Sequence, residues 1–427
     1  MEAPAPATVL PRSKHPIASR RLSAGARKVL GRLRQAGRNA CLVGGSVRDL
    51  LLDRRPKDYD IVTDARPEEV RRLFRNSRII GRRFRLVHVL FSDEVVEVST
   101  FRGAPDPEHQ RRSPGELLVT SDNTYGTPRQ DAFRRDFTVN ALLYRASDRS
   151  VVDYVEGLED LDRGLIRVIG DPNLRYREDP VRMLRACEFA ARLGFDLEDR
   201  TLSSAFEHRR EIAKASPHRL IEELIQLLAS GRSAAAFDWM RRSGLLPIVL
   251  PEVEEARGSA AETAGFSRLA EQLDERVNNG PDVPLAVMLA TSLLPRIVVG
   301  RERLEAGGKA VQRRRLRRLV DDVVDDFGTR FALSARRRVR ITGALETFQR
   351  LCEPNHSPGT AHNLVRREAF GPALELFGLL SAATGSGAKS LGFWQQVGES
   401  APSPPSTGTT KRHRRRRRQR KPRRRHL

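Results

Sequence analysis

Residues 42–63 read LVGGSVRDLLLDRRPKDYDIVT, and this stretch decides how the first part of the chain folds. The apolar residues at the start of this stretch predict the end of a strand, and the paired glycines that follow predict a turn. The last residues of the stretch predict a second strand that carries Asp58 and Asp60. Side chains at positions i and i+2 of a strand point to the same face, so the two carboxylates can present oxygens to one hard cation. The spacing therefore predicts a metal site on the second strand.

The turn at Gly44 and Gly45 predicts a phosphate-binding loop beside that metal site. Glycine allows the backbone to approach a ligand closely, and the short helix predicted at residues 46–52 offers free N–H groups to an anion. Each half alone is weak evidence, because a Gly-Gly turn is usually only a turn and a lone D-x-D pair is more often a solvated strand or a cap. Together the two halves suggest nucleotidyl transfer.

The composition indicates a globular protein with a polyanionic partner. The chain has 427 residues, of which 39% are hydrophobic, which is enough for two or three domains with buried cores. Its net charge of +23 favours nucleic acid as the partner. Cys41, Cys187 and Cys352 have no C-x-x-C spacing, so neither a disulfide framework nor a zinc site is expected. This cysteine usage fits a reducing, cytoplasmic location.

No apolar run reaches the ~18 to 20 residues that a membrane span requires. The best apolar stretch, residues 283–294, carries Thr291 and Ser292 and is expected to be a core helix. The start of the chain lacks the apolar segment of a secretory signal. We therefore expect no membrane partner.

The chain divides into a mixed first part and an all-helical second part. Up to about residue 170, predicted strands alternate with helices; the strands lie at residues 40–43, 58–63, 84–91 and 95–101, and the helices at residues 26–36, 46–52 and 67–74. Alternation in the last strand places Glu97, Ser99 and Phe101 on one face. After residue 171 the periodicity is helical, at residues 178–193, 216–230, 234–243, 285–294, 314–327 and 336–351.

Three further segments are predicted to lie outside the packed domains. Residues 106–127 are polar and contain proline and glycine, which predicts a mobile loop. Residues 398–410 are rich in Pro, Ser, Thr and Gly and predict a flexible linker. Residues 411–427 contain twelve lysines or arginines and carry roughly half of the net charge.

The segment RRDFTVNA, residues 134–141, places two guanidinium groups next to a carboxylate. Arginine forks bind phosphate oxygens bidentately, and Asp136 beside them can orient that contact or add a metal ligand. Asn140, four positions further on, can donate to a ribose or triphosphate oxygen. A surface ion-pair cluster is the alternative explanation for the same residues.

The helix predicted at residues 178–193 has a charged face and an apolar face. Asp179, Arg182 and Arg185 fall on one stripe at 100° per residue. An Asp–Arg pair at i, i+3 can be a simple salt bridge. The same pair can also read the Watson–Crick edge of a base, because it offers acceptors and donors at a fixed spacing. The pattern alone leaves both interpretations open.

Together these motifs resemble the class II nucleotidyltransferase superfamily, which contains bacterial poly(A) polymerases and CCA-adding tRNA nucleotidyltransferases. The similarity covers about residues 40–195 in the family's order and spacing, and its motifs are LVGGSVRD with KDYD, VVEVSTFRG, RRDFTVNALLY and REDPVRMLRACEFAARLGF. The segment IIGRRFRLVHV, residues 79–89, and the arginine-rich tail are similar to the poly(A) polymerase branch.

The resemblance implies an α+β fold, with a nucleotidyltransferase head that contains a small mixed sheet, followed by all-α neck and body domains and a disordered basic tail. The implied divisions are an N-terminal extension, the catalytic head, a neck that binds nucleotide and RNA, a helical body, and a linker with an RNA-binding tail, at residues 1–22, 23–170, 171–232, 233–397 and 398–427.

The resemblance also implies roles for individual residues. Asp58 and Asp60 would bind Mg²⁺, or Mn²⁺ in its place, and Asp136 would be the third catalytic acid. Glu97 competes for that third position, since nucleotidyltransferases often keep a metal-side carboxylate on this strand. The residues implied to contact the triphosphate are Gly44, Gly45, Ser46 and Arg48, and those implied to hold the sugar, phosphates and base are Arg135, Asn140, Asp179, Arg182 and Arg185.

The implied activity is template-independent transfer of AMP from ATP to an RNA 3′-hydroxyl, with pyrophosphate leaving and two metals assisting. The implied partners are the 3′ ends of mRNA, small regulatory RNA and tRNA precursors, together with RNA-decay proteins. A CCA-adding enzyme shares every head motif and is the nearer alternative. A non-catalytic RNA-binding protein is the farther one, and the two intact carboxylates of the DYD motif argue against it.

Overall fold

The computed structural model describes residues 6–81, 84–103, 124–254, 260–306, 313–353 and 356–400. Most of the loop predicted at residues 106–127 lies outside these ranges. So do the basic tail and most of the linker that precedes it.

A mixed sheet of eight strands forms the N-terminal region. The strands are β1 (Thr8–Leu10), β2 (Ala40–Val43), β3 (Asp60–Thr63), β4 (Ser77–Ile80), β5 (Leu86–Leu90), β6 (Val95–Thr100), β7 (Leu143–Arg145) and β8 (Ser150–Asp153). Their spatial order is β1-β8-β7-β2-β3-β6-β5-β4. The β3–β6 pair is parallel and the other neighbouring pairs are antiparallel. The predicted mixed sheet is confirmed, and β1, β4, β7 and β8 were not foreseen.

Five helices belong to the same region, and the first three pack on the sheet: α1 (Ala24–Gln35), α2 (Gly45–Leu51), α3 (Pro67–Leu73), α4 (Pro128–Arg134) and α5 (Gly157–Asp162). α1 begins where the Ser23 hydroxyl accepts a hydrogen bond from the backbone N–H of Ala26. Its buried residues Ala26, Val29 and Leu33 recur at helical spacing, so one face of α1 closes the head core.

Residues that precede α1 also belong to the head. β1 pairs with β8 in antiparallel register, from Thr8 opposite Asp153 to Leu10 opposite Val151. Further along, Ile17 is fully buried in the core of the sheet domain. The segment predicted as an N-terminal extension therefore supplies one strand and part of the core of the head.

The rest of the described chain is helical apart from a two-stranded parallel pair, β9 (Leu165–Ile166) and β10 (Asp196–Leu197). Its helices are α6 (Pro172–Glu178), α7 (Val181–Leu193), α8 (Asp199–His208), α9 (Pro217–Leu228), α10 (Ser233–Arg242), α11 (Leu246–Val249), α12 (Pro251–Glu254), α13 (Ala260–Asn279), α14 (Leu285–Ala306), α15 (Arg313–Arg330), α16 (Ala335–Leu351), α17 (Pro358–Val365), α18 (Phe370–Thr384) and α19 (Ala388–Glu399). The predicted all-helical second part is confirmed.

One hydrophobic core joins these helices, from Met183 of α7 to Trp394 of α19. Phe137 and Val139, from the RRDFTVNA segment, are fully buried in that same core. This segment therefore packs against the helical part of the molecule while β7, which follows it, belongs to the sheet. It joins the head to the helices.

Several predicted boundaries were wrong. β3 begins at Asp60, so Asp58 is not part of the strand. The helix predicted at residues 178–193 is divided, because α6 ends at Glu178 and α7 begins at Val181, after Pro180. The helix predicted to end at residue 294 continues through Pro295. Residues 398 and 399 form the end of α19 instead of starting the linker.

Among the helices that the structure describes, none combines the length and the apolar character needed to cross a membrane.

Candidate active site

Asp60 is the residue around which the site is organised. It begins β3 and lies opposite Glu97 of β6 in the parallel register. The pKa of the Asp60 carboxyl is raised to about 6, first by burial and then by the negative charge of Glu97. Asp58 adds to the rise and Arg135 opposes it. The carboxylates are therefore held close together with too little positive charge to balance them.

Asp58 reaches this site from a bend that precedes the strand, and it is exposed. The argument that both acids share one strand face is therefore wrong. Tyr59, between them, packs into the head core and its hydroxyl donates to the carbonyl of Arg21 at 2.6 Å. This anchor fixes the backbone between the two acids, so one acid comes from a strand and the other from the loop before it.

Glu97 also has a defined partner on the neighbouring strand β5, on the side away from β3. His88 of β5 lies directly opposite Glu97, and its Nε2 is 2.9 Å from Glu97 Oε1. The Glu97 side chain stays about half exposed at 46%. Glu97 is thus oriented by His88 but still open on one side.

The donor set fits a divalent cation. Mg²⁺ prefers carboxylate oxygens and is usually held by one or two carboxylates together with substrate phosphates. Asp60, Asp58 and Glu97 supply such oxygens, and their mutual repulsion is what a cation would relieve. Within the described ranges, no three Asp, Glu, His or Cys side chains converge as a preformed metal site. The arrangement thus resembles a site that a nucleotide phosphate completes.

Gly44 supplies the predicted turn beside these acids. Its φ of +72° lies in the left-handed region, where glycine is favoured. A Cβ atom at Gly44 would lie 3.4 Å from Nη1 of Arg135 and 3.6 Å from the carbonyl oxygen of Asn140. Gly45 then begins α2. The turn therefore lets Arg135 approach the backbone next to Asp60.

The orientation of the Arg135 side chain is fixed by a residue that the sequence analysis missed. Asp131, four residues earlier on α4, is buried and accepts hydrogen bonds from Nε of Arg135 at 3.0 Å and Nε of Arg102 at 2.9 Å. The pKa of Asp131 is lowered because these two arginines outweigh the effect of its burial. The i, i+4 spacing of Asp131 and Arg135 was a signal that could have identified the pair.

Ser46 and Arg48 were predicted to contact triphosphate, and in the structure both side chains are bound to the protein instead. The Ser46 hydroxyl donates to the Val43 carbonyl at 2.9 Å. Arg48 is buried, donates to Asp49 at 2.7 and 2.9 Å, and donates to Oδ1 of Asn140 at 2.5 Å. These two side chains stabilise the turn, and their contact with the triphosphate stays a prediction.

The Asp136 carboxylate is also hydrogen-bonded to the protein. Oδ2 accepts from Nε and Nη2 of Arg185 at 3.0 and 2.7 Å, and Oδ1 accepts from the backbone N–H of Phe137 at 2.8 Å and from Nδ2 of Asn140 at 3.3 Å. Burial alone would raise the pKa of Asp136, but Arg185 and these hydrogen bonds hold it well below its usual range. Both oxygens accept hydrogen bonds from the protein, and the role of Asp136 as a catalytic acid stays a prediction.

Asn140 and Arg185 complete this buried network. The Asn140 amide bridges Arg48 and Asp136, and its donation to a ribose or triphosphate oxygen stays a prediction. Arg185 donates to Glu223 of α9 at 2.9 Å in addition to Asp136. Arg185 is therefore an ion-paired link between the head and two helices.

Asp179 and Arg182 lie in the break between two helices instead of on one helix face. Asp179 caps the C-terminal end of α6, and Arg182 is in the first turn of α7. Asp179 accepts two hydrogen bonds from Arg219, at 2.7 and 3.0 Å. Arg182 donates to the carbonyl of Arg175 at 2.7 Å, and burial lowers its pKa. Arg219, which lies 40 residues from Asp179, was not foreseen.

Two family models match this chain. Residues 40–167 match the poly A polymerase head domain, and residues 194–257 match a probable RNA and SrmB-binding site of polymerase A. The first range contains the Gly44 turn, both acids of the DYD motif and the RRD segment. The second range contains α9.

Curated relatives point in the same direction. The chain is 41% identical over 290 residues to poly(A) polymerase I of Salmonella typhimurium, covering 66% of this chain and 62% of the relative. It is 40% identical over 277 residues to the Haemophilus influenzae poly(A) polymerase I, covering 63% and 61%. A CCA-adding enzyme of Bacillus velezensis is 37% identical over 238 residues, covering 56% and 58%. The chain thus spans under two thirds of the length of these relatives.

Solved structures confirm the fold. The Bacillus stearothermophilus CCA-adding enzyme in complex with CTP superposes with a TM-score of 0.62 at 24% identity, covering 88% of this chain and 82% of that one. A Thermotoga maritima CCA-adding enzyme superposes with a TM-score of 0.56 at 19% identity, covering 88% and 82%. At these identities the likeness concerns the fold alone.

Proposed function

The chain belongs to the nucleotidyltransferase superfamily of poly(A) polymerases and CCA-adding enzymes, and we propose from this premise that it transfers AMP from ATP to RNA 3′ ends. The observation that carries the proposal is the pairing of Asp60 with Glu97 on the neighbouring central strands β3 and β6, close to Asp58 and next to the Gly44 turn. Crowded carboxylates beside a glycine turn and an arginine are the arrangement that nucleotidyl transfer requires.

Asp58, Asp60 and Glu97 are the residues that would hold Mg²⁺, with Glu97 in place of Asp136 as the third acid. When bound, the metal supplies charge neutralisation for the phosphates and activation of the attacking hydroxyl. Asp136 keeps a supporting role, because its oxygens are committed to Arg185 and to the backbone of its own segment. The proposal thus takes Glu97 as the third acid, with Asp136 as the alternative.

Arg135 and the Gly44 turn are the groups of this chain that would orient the triphosphate. Nε and Nη2 of Arg135 are held by the buried Asp131, and Nη1 lies close to Gly44, so Nη1 is the group that would meet phosphate oxygens. Phosphoryl transfer depends mainly on positioning and charge, so no covalent protein intermediate is needed. Pyrophosphate leaves as the RNA 3′-hydroxyl attacks the α-phosphate.

Asp179 and Arg182 are the residues that would read the base. The Asp179 carboxylate offers acceptors and the Arg182 guanidinium offers donors, which suits the amino group and ring nitrogen of adenine. Their fixed spacing comes from the Pro180 break between α6 and α7. The pair would therefore face the nucleotide from the helical side of the site.

The proposal favours poly(A) addition over CCA addition. The poly(A) polymerase I relatives are more similar and align over more of the chain than the CCA-adding enzymes do. The segment at residues 79–89 supports the same choice, although Arg82 and Arg83 within it lie outside the described residues. We propose that the substrates are 3′ ends of mRNA, small regulatory RNA and tRNA precursors, in cytoplasmic RNA processing and decay, with RNA-decay proteins as partners.

The test is the sequence that the protein adds when ATP, CTP, GTP and UTP are all supplied with Mg²⁺. An unstructured RNA primer should receive a run of A well past three residues, with little C. A tRNA that lacks its CCA end serves as the second primer. Addition of C-C-A alone to the tRNA, with the unstructured primer ignored, would establish the CCA-adding alternative. RNA binding without any addition would establish the non-catalytic one.

A further inference from the structure

Helix α1 carries a row of cations that are not neutralised by carboxylates within the described part of the chain. Its sequence, AGARKVLGRLRQ, contains no acidic residue and four basic ones, Arg27, Lys28, Arg32 and Arg34. All four side chains are exposed, and none of them forms an ion pair with another residue that the structure describes. The exposed face of α1 therefore carries unbalanced positive charge.

α1 packs on the face of the sheet opposite the acids. Along β3, Ile61 belongs to the hydrophobic core that α1 closes, whereas Val62 belongs to a separate cluster on the other face. Asp60 shares the face of Val62, because strand residues two apart point the same way. The cations of α1 are thus outside the proposed catalytic site and have no role in it.

Two clefts flank α1, and no carboxylate is found among the described residues that line them. The first has a volume of about 790 Å³ and lies between α1, the end of α3 and β5. The second has a volume of about 470 Å³ and lies on the other side of α1, beside β2 and β7. Arg27 lines both clefts, and the other cations that line one or the other are Lys28, Arg32, Arg34, Arg38 and Arg75.

Aromatic rings hold two of these cations in place. Cζ of Arg32 lies 5.6 Å from the centroid of the Phe74 ring, and Nζ of Lys28 lies 5.8 Å from the centroid of the Phe91 ring. A ring attracts a cation through its quadrupole and leaves the net charge of the pair unchanged. The first cleft therefore presents positioned positive charge to a ligand, and a polyanion is the ligand that this charge fits.

A third cleft connects this surface with Asp58. It has a volume of about 1250 Å³ and extends from Asp58 and Lys57 to the start of α1 at Ala24. Phe91 lines both this cleft and the first cleft beside α1. A chain whose end lies at Asp58 can therefore continue over the start of α1 and reach the cations without leaving a groove.

We propose that the exposed cations of α1, together with Arg75, form a second RNA-binding surface that holds the part of the RNA chain preceding the 3′ end. The inference rests on the proposed function, in which the RNA 3′-hydroxyl reacts beside Asp58 and Asp60. Lys and Arg neutralise phosphates whatever the base sequence, so the surface suits many different RNAs. α1 has 12 residues and is about 18 Å long, which is enough to follow several nucleotides.

The shape of the surface favours a nucleic-acid strand over a membrane. The cations lie along clefts that are recessed between a helix and the strands below it. A single strand can enter such a cleft, whereas a planar bilayer meets only its rim. RNA is also the polyanion that the proposed activity brings to Asp58, at the end of the connecting groove.

The experiment compares wild type with a full-length variant that lacks three cations of the first cleft, Lys28→Gln, Arg32→Gln and Arg75→Gln. The control variant removes the same charge at three exposed cations that each face a carboxylate, Arg163→Gln, Arg200→Gln and Lys214→Gln. Thermal unfolding of each protein reports whether the fold is retained. Arg27→Gln with Arg34→Gln tests the second cleft, and it answers the question if the triple variant does not fold.

Filter binding without nucleotide measures affinity for RNA of about 25 nucleotides, which spans the surface, and of about 5 nucleotides, which does not. The first-cleft variant should bind the long RNA about tenfold more weakly at low salt, with a salt slope reduced by up to about 2, at roughly 0.7 per lost contact. Its affinity for the short RNA should stay within about twofold of wild type. Primer extension should show a raised KM for the long RNA and an unchanged kcat.

Three results would overturn the inference. An equal loss in the control variant would show that net charge is responsible, and an equal loss for short and long RNA would show that the cations act at the 3′ end. Unchanged RNA affinity with lost binding to phosphatidylglycerol vesicles would assign the surface to a membrane. Failure of wild type to add any nucleotide would refute the proposed function instead, and it is distinguishable because the binding measurements need no nucleotide.

Discussion

Replacing Asp60 with Asn should inactivate the protein and at the same time stabilise it. A carboxyl whose pKa rises from 3.8 to about 6 on folding costs the folded protein about 3 kcal/mol when it ionises. The asparagine side chain has nearly the same shape and no charge, so the variant avoids this cost. Allowing for the partial exposure of the carboxyl, we expect a gain of about 2 to 3 kcal/mol at pH 7.

Because folding raises the pKa of Asp60, the stability difference between wild type and Asp60→Asn should depend on pH. Below pH 3.8 Asp60 is protonated in the folded and the unfolded protein, so wild type and variant should be equally stable. Above pH 6 the carboxyl is ionised in both states and the full cost applies. The stability of the wild type relative to Asp60→Asn should therefore fall as the pH rises from about 4 to about 6.

The assay is thermal unfolding of both proteins in metal-free buffer with EDTA, between pH 4 and pH 8. A gain of 2 to 3 kcal/mol corresponds to a rise in the midpoint of roughly 4 to 12 °C for a domain the size of the head. Asp58→Asn is the matched control, because Asp58 is exposed and its replacement should change stability by less than about 0.5 kcal/mol.

Two results would refute this reasoning. If Asp60→Asn is no more stable than wild type at pH 7 without metal, Asp60 does not carry the cost that its position beside Glu97 implies. If the variant is more stable by the same amount at pH 4 and at pH 7, the gain comes from packing and not from ionisation. In either case the crowded carboxylates would no longer support a cation site.

Further expectations follow from the same structure. Glu97→Gln should lower primer extension by about a hundredfold while RNA binding in a filter assay is retained, and near-normal extension would exclude Glu97 as third acid. Asp136→Asn should instead destabilise the protein by about 3 kcal/mol in thermal unfolding, because Arg185 loses its buried partner. Asp58→Ala should abolish extension, and retention of over about a tenth of the rate would contradict the metal assignment. Deleting residues 411–427 should flatten the slope of log affinity against log salt by up to about 0.7 per lost phosphate contact, and equal slopes would show that the tail does not bind RNA.

Features that depend on local chemistry were predictable from the sequence. The Gly44 turn follows from a positive φ that glycine favours, and β2 and the β5–β6 hairpin follow from alternation around turn residues. The contact between Glu97 and Asp60 was partly predictable, because the alternation of side chains along the strand shows on which face Glu97 lies. The register that sets these two acids opposite each other could not, because the pairing of β3 with β6 is decided across the sheet.

Features that depend on distant partners were not predictable. Asp136 looks like an open acid next to two arginines, but its partner Arg185 is 49 residues away and approaches only when α7 packs under the segment. Arg219 is 40 residues from Asp179 and looks like half of a helix surface pair. In each case the tertiary fold supplies a partner that is distant in sequence.

The Pro180 break explains why a correct motif led to an incorrect geometry. A continuous helix would place Asp179 and Arg182 on one exposed charged stripe, as the 100° periodicity suggested. Proline cannot donate to the preceding turn, so the chain leaves α6 at Asp179 and enters α7 at Val181. Asp179 is thereby freed from the helix surface and turned toward α9, where Arg219 binds it. The proline thus converts a predicted surface stripe into a buried acceptor whose orientation is set by a third helix.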